Sequence, residues 1–218
     1  MIKLSIPLHL QAEGSEDCGP TSTLMILDYF GITSDAQEVI AKVPRCNFGT
    51  STFDNALTMM DYGLSVELVM AQPDIFDGEF IRSKPEKAAV IARVKQVIEK
   101  EKDQERQDIL RSLITYVERG GKLTLAIPSK EIIQQAVKAG RPVMASMYTE
   151  ALGRQLGGYH FVVIGGYNDH EFLIFNPWPT SKHISWERVD EVMFAIHSST
   201  LFDYDNGAIL LVDKLRKG

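Results

Sequence analysis

The segment from Leu24 to Phe30 is nearly all apolar, and it constrains the fold more than any other part of the chain. A helix with apolar residues on most sides has to be buried on most sides. Pro20 is tolerated at the first helical position, because its missing N–H would have no partner within the helix. Gly31 supplies a stop, because glycine adopts the left-handed conformation without a Cβ penalty. The sequence therefore predicts a buried helix from Pro20 to about Phe30.

Cys18 lies directly before this helix, where a loop becomes the helix N-terminus. Free backbone N–H groups and the positive end of the helix dipole favour an anion there, and a thiolate is one. A single cysteine is more often a small buried side chain. Here the neighbours Asp17 and Gly19-Pro20 are typical of an exposed turn. We interpret Cys18 as a candidate nucleophile with an activated thiolate, and Asp17 as the side-chain cap of the helix.

Composition and charge exclude several classes of protein. The 218 residues suit one domain, and 44% hydrophobic and 24% charged residues are ordinary for a globular chain. A net charge of −6 gives no electrostatic support for a nucleic-acid partner. No apolar run is long enough for a secretory signal or a bilayer span, so we expect no membrane partner and a cytoplasmic location. Two cysteines make no disulfide framework, and no residue set has metal-ligand spacing, so we expect no cofactor.

Helical patterns come mainly first and strand patterns mainly second, which predicts an α+β fold with a helical N-terminal half packed on an antiparallel C-terminal sheet. We expect residues 1–218 to form a single domain with a helical insertion at about 84–121. Two apolar clusters of helical period in this insertion flank a highly charged stretch, residues 99–108. This predicts one long projecting helix or a helix pair with a solvated tip, and the charges could also dock a protein partner.

Further element boundaries follow from capping residues and periodicity. We expect Ser34 to cap a helix over residues 35–43, and residues 72–83 to form an irregular loop. Ser185 is expected to cap a helix that starts at Trp186 and ends near Ile196. Residues 208–212 are expected to form the last strand.

A histidine and an asparagine occur on two successive predicted strands. His160 starts an apolar strand, and Asn176-Pro177 ends the next one after a turn at Asn168-Asp169. If that turn closes a hairpin, His160 and Asn176 become neighbours, and the amide oxygen could accept the Nδ1–H of the imidazole. Pro177 cannot extend the ladder, which ends the strand at Asn176. Each residue alone is commonplace, but the pair supplies a base and an orienting group for the Cys18 thiol.

Gln11 precedes Cys18 by seven residues. Its side-chain NH₂ and the Cys18 backbone N–H could hold the oxyanion of a tetrahedral intermediate. The alternative is a loop glutamine in water, and the sequence alone does not separate the two.

These residues together resemble the papain-like cysteine peptidases, and among them the double-glycine leader peptidases that process bacteriocins. The resemblance rests on Gln11, Asp17-Cys18-Gly19-Pro20, the segment from Ile132 to Ser146, His160-Phe161-Val162-Val163 and Asn176-Pro177. It implies a papain-like fold with Cys18 as nucleophile, His160 as general base and acid, Asn176 as the residue that orients His160, and Gln11 in the oxyanion hole.

The chain differs from the leader peptidases at two of these positions. They usually carry Asp where this chain has Asn176, which is the papain-type residue. Their glutamine usually stands one residue nearer the cysteine, where this chain has Ala12. No exporter membrane segments or ATPase follow in the sequence, so we expect a stand-alone unit.

Three functions are compatible with this set of residues. The first is a cysteine-type peptidase or amide hydrolase that cleaves a peptide or protein substrate through an acyl-enzyme. The second is an acyltransferase that uses the same cysteine and hands the acyl group to an amine or thiol. The third is a non-catalytic module that binds a peptide in the same groove. We rank them in this order, because a binding module has no need for all four residue types.

Overall fold

The computed structural model describes residues 1–46, 49–152, 158–180, 182–199, 203–205 and 207–214. Its helices are α1 Cys18–Tyr29, α2 Ala36–Lys42, α3 Thr52–Asp61, α4 Gly78–Arg82, α5 Lys87–Lys100, α6 Gln104–Glu118, α7 Lys130–Lys138 and α8 Val189–Ser198. Its strands are β1 Ile2–Lys3, β2 Leu64–Met70, β3 Lys122–Leu125, β4 Val143–Tyr148, β5 Tyr159–Tyr167, β6 Glu171–Phe175, β7 Ile184–Arg188 and β8 Ile209–Lys214. None of these helices is long and apolar enough to cross a membrane.

The strands form one sheet in the order β3-β2-β8-β4-β5-β6-β7, and β1 pairs with the end of β5. Every pair is antiparallel except β2 with β3, which is parallel. The α+β prediction is confirmed. The sheet is nevertheless not confined to the C-terminal half of the chain, because β2 lies between β3 and β8 and comes from the half that was predicted to be helical.

Helices cover both faces of the sheet. One apolar cluster joins α1, α3, α5 and α6 to one face, and a second cluster joins α7 and α8 to the other face. Strands buried on both faces have continuous apolar sequences rather than alternating ones. Strand β5 follows this rule, since all its residues except the two terminal tyrosines are buried.

The predicted insertion is a helix pair that packs into the core. Helices α5 and α6 are joined by a short turn at Glu101–Asp103, which we call the tip. Val94 of α5 and Leu110 and Leu113 of α6 are fully buried in the same cluster as α1. The pair therefore does not project from the body as a long helix would. Its apolar faces are part of the main core, and only its outer faces are solvated.

Three predicted boundaries are wrong. Trp186 lies in β7, opposite Leu173 of β6, rather than in a helix. Hydrogen bonds to β6 favour the strand here, and the apolar stripe of α8 begins only at Val189. Ser185 is therefore a buried strand residue and caps nothing. Asp35, not Ser34, caps α2 by accepting the Glu38 N–H, and the short helix α4 interrupts the segment predicted to be an irregular loop.

Candidate active site

Cys18 is the first residue of α1 and is half-buried. Burial raises the pKa of its thiol more than the backbone N–H groups of Phe161, Gly19 and Cys18 lower it. Burial of the sulfur therefore opposes the activated thiolate that the helix N-terminus predicts, because the desolvation of the thiolate outweighs the backbone hydrogen bonds that stabilise it.

Asp17 does not cap α1 with its side chain, contrary to the prediction. Its carboxylate instead forms an ion pair with Arg45, which lies in the loop between α2 and α3. A charged guanidinium is a stronger partner for a carboxylate than a backbone N–H. Asp17 therefore ties the loop before Cys18 to a distant loop.

His160 and Asn176 form a buried pair, with 2.7 Å between His160 Nε2 and Asn176 Oδ1. Their exposed fractions are 4% and 2%. The Trp178 backbone N–H also donates to Asn176 Oδ1, at 2.9 Å, which identifies that atom as the oxygen. Nε2 must then carry the imidazole proton in the neutral ring, and Nδ1 is the acceptor nitrogen. The sequence predicted the pair but the opposite ring nitrogen.

The predicted hairpin brings these two residues together. Strands β5 and β6 are antiparallel, and their ladder pairs Val163 with Phe175. His160 and Asn176 lie just beyond this pair and on the same face, since side chains alternate along each strand. The Trp178 ring also lies against the imidazole in a T-shaped arrangement, with 5.5 Å between ring centroids. Trp178 has no predicted role, although its position two residues after Asn176 could have suggested one.

Helix α1 meets β5 next to His160. The Cys18 thiol accepts a hydrogen bond from the backbone N–H of Phe161, the residue that follows His160. One turn along α1, the Ser22 hydroxyl donates to the Phe161 carbonyl at 3.4 Å. The N-terminus of α1 is thereby held against the start of β5, so the thiol lies beside the backbone of Phe161, the residue next to His160.

Gln11 is buried rather than solvated, with 4% of its surface exposed. Its backbone N–H donates to Pro177 O at 2.9 Å, and its side-chain Nε2 donates to Ser15 O at 2.6 Å. The loop that carries Gln11 is thus attached to the segment that follows Asn176. The second hydrogen of Nε2 is not used in this contact, and Oε1 has no hydrogen-bond partner.

A buried polar network fixes the N-terminal turn of α1 to α3. Asn55, which is fully buried, accepts from the Thr23 hydroxyl and donates to Thr50 Oγ1, each at 3.0 Å. A Cβ added at Gly19 would lie 2.2 Å from Thr50 Oγ1. Glycine next to Cys18 is therefore required by the close approach of α1 to Thr50 and Asn55, a long-range contact that the sequence does not reveal.

A cavity of about 400 Å³ opens on Cys18. Its apolar surface comes from Tyr159 and Phe161 of β5 and Ile109 of α6, and its charged surface comes from the tip, the first turn of α6 and residues 203–205. A larger depression of about 970 Å³ lies elsewhere, between α7, α8 and the β5–β6 turn, and contains no cysteine. In the described ranges no three His, Cys, Asp or Glu side chains could hold a metal ion.

Comparisons with known proteins agree with the resemblance seen in the sequence. The model of the Peptidase_C39 like family matches residues 108–199, a range that includes His160 and Asn176 but not Cys18 or Gln11. A search of curated proteins by sequence finds no match.

Three solved structures are similar to this chain over nearly its whole length. A candidate C39-like peptidase from Bacillus anthracis has 14% identity and a TM-score of 0.57, with 98% of this chain and 97% of that chain covered. A double glycine motif protease from an AMS/PCAT transporter, in complex with the leader peptide, has 13% identity and a TM-score of 0.50, with 96% and 92% covered. The peptidase domain of Streptococcus ComA, a bifunctional ABC transporter, has 11% identity and a TM-score of 0.50, with 98% and 99% covered.

At these identities the structural likeness establishes the fold, and the family model adds a sequence match in the C-terminal part. The predicted resemblance to the double-glycine leader peptidases is thereby confirmed at the level of the fold: this chain has the fold of the C39-like and double glycine motif peptidases, and its residues 108–199 match the Peptidase_C39 like family.

Proposed function

We propose that this protein is a cysteine peptidase that cleaves a peptide bond through Cys18, His160 and Asn176. The observation that carries the proposal is the buried hydrogen bond of 2.7 Å between His160 and Asn176. The residue after His160, Phe161, donates its backbone N–H to the Cys18 thiol. A nucleophile, a base and an orienting group are the three parts that such a reaction needs. The match to a peptidase family and the peptidase fold support the same reaction class.

The first step is attack of the Cys18 sulfur on the substrate carbonyl carbon. His160 Nδ1 takes the thiol proton as the C–S bond forms, and the carbonyl oxygen becomes an oxyanion. Burial raises the pKa of the thiol, so a base is needed to remove its proton. Asn176 accepts from Nε2–H throughout and keeps Nδ1 facing the reaction, while the Trp178 ring packs against the imidazole.

The second step breaks the C–N bond. The imidazolium gives its proton to the leaving amine, and a thioester remains on Cys18. Water then attacks this acyl-enzyme with His160 as base, which releases the carboxylic acid and restores the thiol. We assign the Cys18 backbone N–H and the second Nε2–H of Gln11 as the donors to the oxyanion. The first N–H groups of a helix have no intrahelical partner, so the Cys18 N–H can take this role.

The proposed substrate is a peptide or an extended segment of a protein. The structurally similar transporter protease is in complex with a leader peptide, which is a precedent for a peptide in this fold. We propose a cytoplasmic location, because a reducing compartment keeps Cys18 as a thiol. The suggestion that the charged surface of residues 84–121 docks a protein partner stays a prediction.

The test is a cleavage assay on a mixed pool of unmodified peptides, read by mass spectrometry. We expect the wild-type protein to give new termini, and Cys18→Ala and His160→Ala to give none. His170→Ala is the matched control, because His170 is exposed in the β5–β6 turn and should retain activity.

The same assay separates the alternatives. A stable thioester adduct on Cys18 that added amine converts to an amide, with no hydrolysed product, would instead support an acyltransferase. Peptide binding by wild type and Cys18→Ala alike, without any adduct or cleavage, would contradict the proposal and favour a binding module.

A further inference from the structure

The charged residues of the cavity beside Cys18 are mostly acidic. Its charged lining consists of Asp103, Glu105, Arg106, Asp203 and Asp205. These residues come from two places that are distant in sequence, the start of α6 and residues 203–205. Four carboxylates therefore face one guanidinium in a cavity that shares its wall with the proposed nucleophile. These five charged side chains have no part in the proposed reaction of Cys18, His160 and Asn176. Their position beside Cys18 therefore needs another explanation.

Asp205 is the informative member of this group, because it is 5% exposed and lines the cavity. Its Oδ2 accepts the Thr52 backbone N–H, and the Thr52 hydroxyl donates to its backbone carbonyl at 3.2 Å. No cationic side chain of the described residues pairs with it. Burial, and after it the neighbouring Asp203, raise the pKa of Asp205 to about 6. A buried carboxylate without a counter-charge is costly, which points to a cation that arrives with a ligand.

One guanidinium against four carboxylates leaves the charged lining with an excess of negative charge. Arg106 lies over the ring of Tyr204, at 5.9 Å from its centroid, and the Tyr204 hydroxyl donates to Glu101 at 2.7 Å. Burial raises the pKa of Asp203, and Arg106 offsets this only in part. Arg106 thus holds residues 203–205 against the tip, and the cavity keeps an excess of negative charge.

The rest of the cavity is apolar. Ile109 and Phe161 are nearly buried and lie on its wall together with Tyr159. A lysine or arginine side chain combines an aliphatic stem with a cationic end, so it matches both parts of such a surface. The volume of about 400 Å³ is also within the range of natural ligand pockets.

We propose that this cavity binds a lysine or arginine side chain of the peptide substrate, close to the bond that Cys18 attacks. The stem packs on Ile109 and Phe161, and the cationic nitrogen pairs with Asp205, with Asp203 and Glu105 nearby. The inference rests on the proposed peptidase function and adds a substrate class to it: peptides with a basic residue near the cleaved bond.

The experiment compares N-acetylated peptides that differ in one side chain at each position near the cleaved bond, Lys against norleucine and Arg against citrulline. At one position we expect the cationic residue to raise kcat/KM at least about tenfold, since a buried charge pair that loses a partner is strongly weakened. Binding of the same peptides to Cys18→Ala, measured by calorimetry, should show the same preference without any chemistry.

Two variants test the assignment. Asp205→Asn should abolish the preference for the cationic peptide in both kcat/KM and Kd. Because Asp205 also accepts the Thr52 N–H, its folding is checked by circular dichroism. Glu105→Gln leaves that contact intact and should reduce the preference several-fold. Asp169→Asn, in the exposed β5–β6 turn, is the control and should leave the preference unchanged.

The outcomes separate the two proposals. Cleavage without any basic preference, or a preference that survives both substitutions at the cavity, overturns the cavity assignment and leaves the peptidase function standing. Absence of cleavage together with tighter binding of cationic peptides to Cys18→Ala overturns the peptidase function and supports the cavity assignment. The same peptides without the acetyl group form a further arm, and a preference that appears only in this arm overturns the side-chain assignment in favour of a terminal amine.

Discussion

Asn176 Oδ1 accepts two hydrogen bonds at once, from the buried His160 Nε2–H and from the partly buried Trp178 backbone N–H. A single oxygen thereby fixes the ring orientation, the ring tautomer and the chain that leaves β6. Because both donors would be left without an acceptor, the residue matters for folding as well as for the proposed chemistry.

Asn176→Ala should therefore lower both activity and stability. We expect a loss of about 1–3 kcal/mol in the free energy of unfolding, since buried donors lose their acceptor, and near-complete loss of cleavage. Urea unfolding and the peptide assay measure the two effects. Asn176→Asp is the matched variant: its carboxylate still accepts both bonds, so the fold should persist. The carboxylate also raises the imidazole pKa, so activity that needs neutral His160 should be lost at a higher pH than in wild type. If the acidic limb of the pH–activity profile is the same in Asn176→Asp and wild type, the proposed role of His160 as the base is contradicted.

At the residue scale the sequence predicted what is local. The His160–Asn176 pair follows from hairpin spacing, because positions near the two ends of one hairpin are neighbours whatever the rest of the chain does. The partner of Asp17 and the pKa direction of Cys18 depend on Arg45 and on burial by β5, which are set by tertiary packing. The spacing of residues along the sequence therefore predicts neither the partner of Asp17 nor the direction in which the Cys18 pKa is shifted.

Among the elements, α6 is joined to the sheet by a buried hydroxyl as well as by its apolar side chains. Tyr116 is fully buried, and its Oη lies 2.8 Å from both Val66 O and Lys122 O and accepts the Leu68 N–H at 3.1 Å. The hydroxyl thus bridges β2 and β3 at the sheet edge. Burial raises the pKa of this phenol far above its ordinary value, so it is always protonated and always a donor.

Tyr116→Phe should destabilise the protein by about 1–3 kcal/mol, because backbone groups of two strands lose a buried partner. Chemical unfolding monitored by circular dichroism gives the value. Tyr29→Phe is the control, since the Tyr29 hydroxyl binds a single carbonyl, Gly140 O, at a less buried position; its effect should be clearly smaller. Equal effects of the two substitutions would show that the Tyr116 bridge contributes nothing special.

The elements were predictable where periodicity was sustained, as in α1 and α3, and not where two periods overlap. The stretch from Trp186 to Ile196 has apolar residues that fit a helix throughout, yet its first part pairs with β6 as a strand. The pairing with β6 is what makes this first part a strand rather than a helix, and the sequence does not show which strands are adjacent. The charged stretch that interrupts the apolar pattern of residues 84–121 was likewise compatible with one helix or two, because tertiary packing decides between them.

At the scale of the whole molecule, Glu67 joins pieces that are far apart in sequence. Its carboxylate pairs with Lys122 at 2.9 Å and with Arg141 at 3.1 Å, and accepts from the Thr124 hydroxyl at 2.7 Å. Arg141 in turn donates to Leu211 O at 3.0 Å. Burial raises the pKa of Glu67, but the bonds from Lys122, Thr124 and Arg141 outweigh it and hold the pKa below its ordinary value.

A lowered folded-state pKa means that Glu67 stabilises the fold above its unfolded pKa of about 4.3, and that this contribution is lost as pH falls through the folded value. Glu67→Gln should therefore be less stable than wild type at neutral pH, by at least about 1 kcal/mol, and the difference should shrink as pH falls below about 4. Unfolding in urea at several pH values measures it. Glu191→Gln, at an exposed site, should show little difference at any pH; a pH-independent deficit in Glu67→Gln would contradict the assignment.

The order of helices and strands was sufficient to predict the α+β class, but not the two covered faces of the sheet. That arrangement depends on β2 joining strands from the other half, a long-range pairing. Asp205 illustrates the same limit at the candidate site. It lies far along the chain from Cys18 and reaches the cavity only because Thr52 and the tip hold residues 203–205 in place.

Because β2 and β3 are parallel, a segment of the chain must return from one end of the sheet to the other. Helix α6 makes this return, starting at the rim of the cavity and ending at β3. Its length therefore sets how far the acidic rim reaches. Shortening α5 and α6 together by one helical turn at the tip would withdraw that rim by about 5 Å. Insertions and deletions in this helix pair could therefore change which substrates the cavity accepts, in larger steps than the exchange of single side chains.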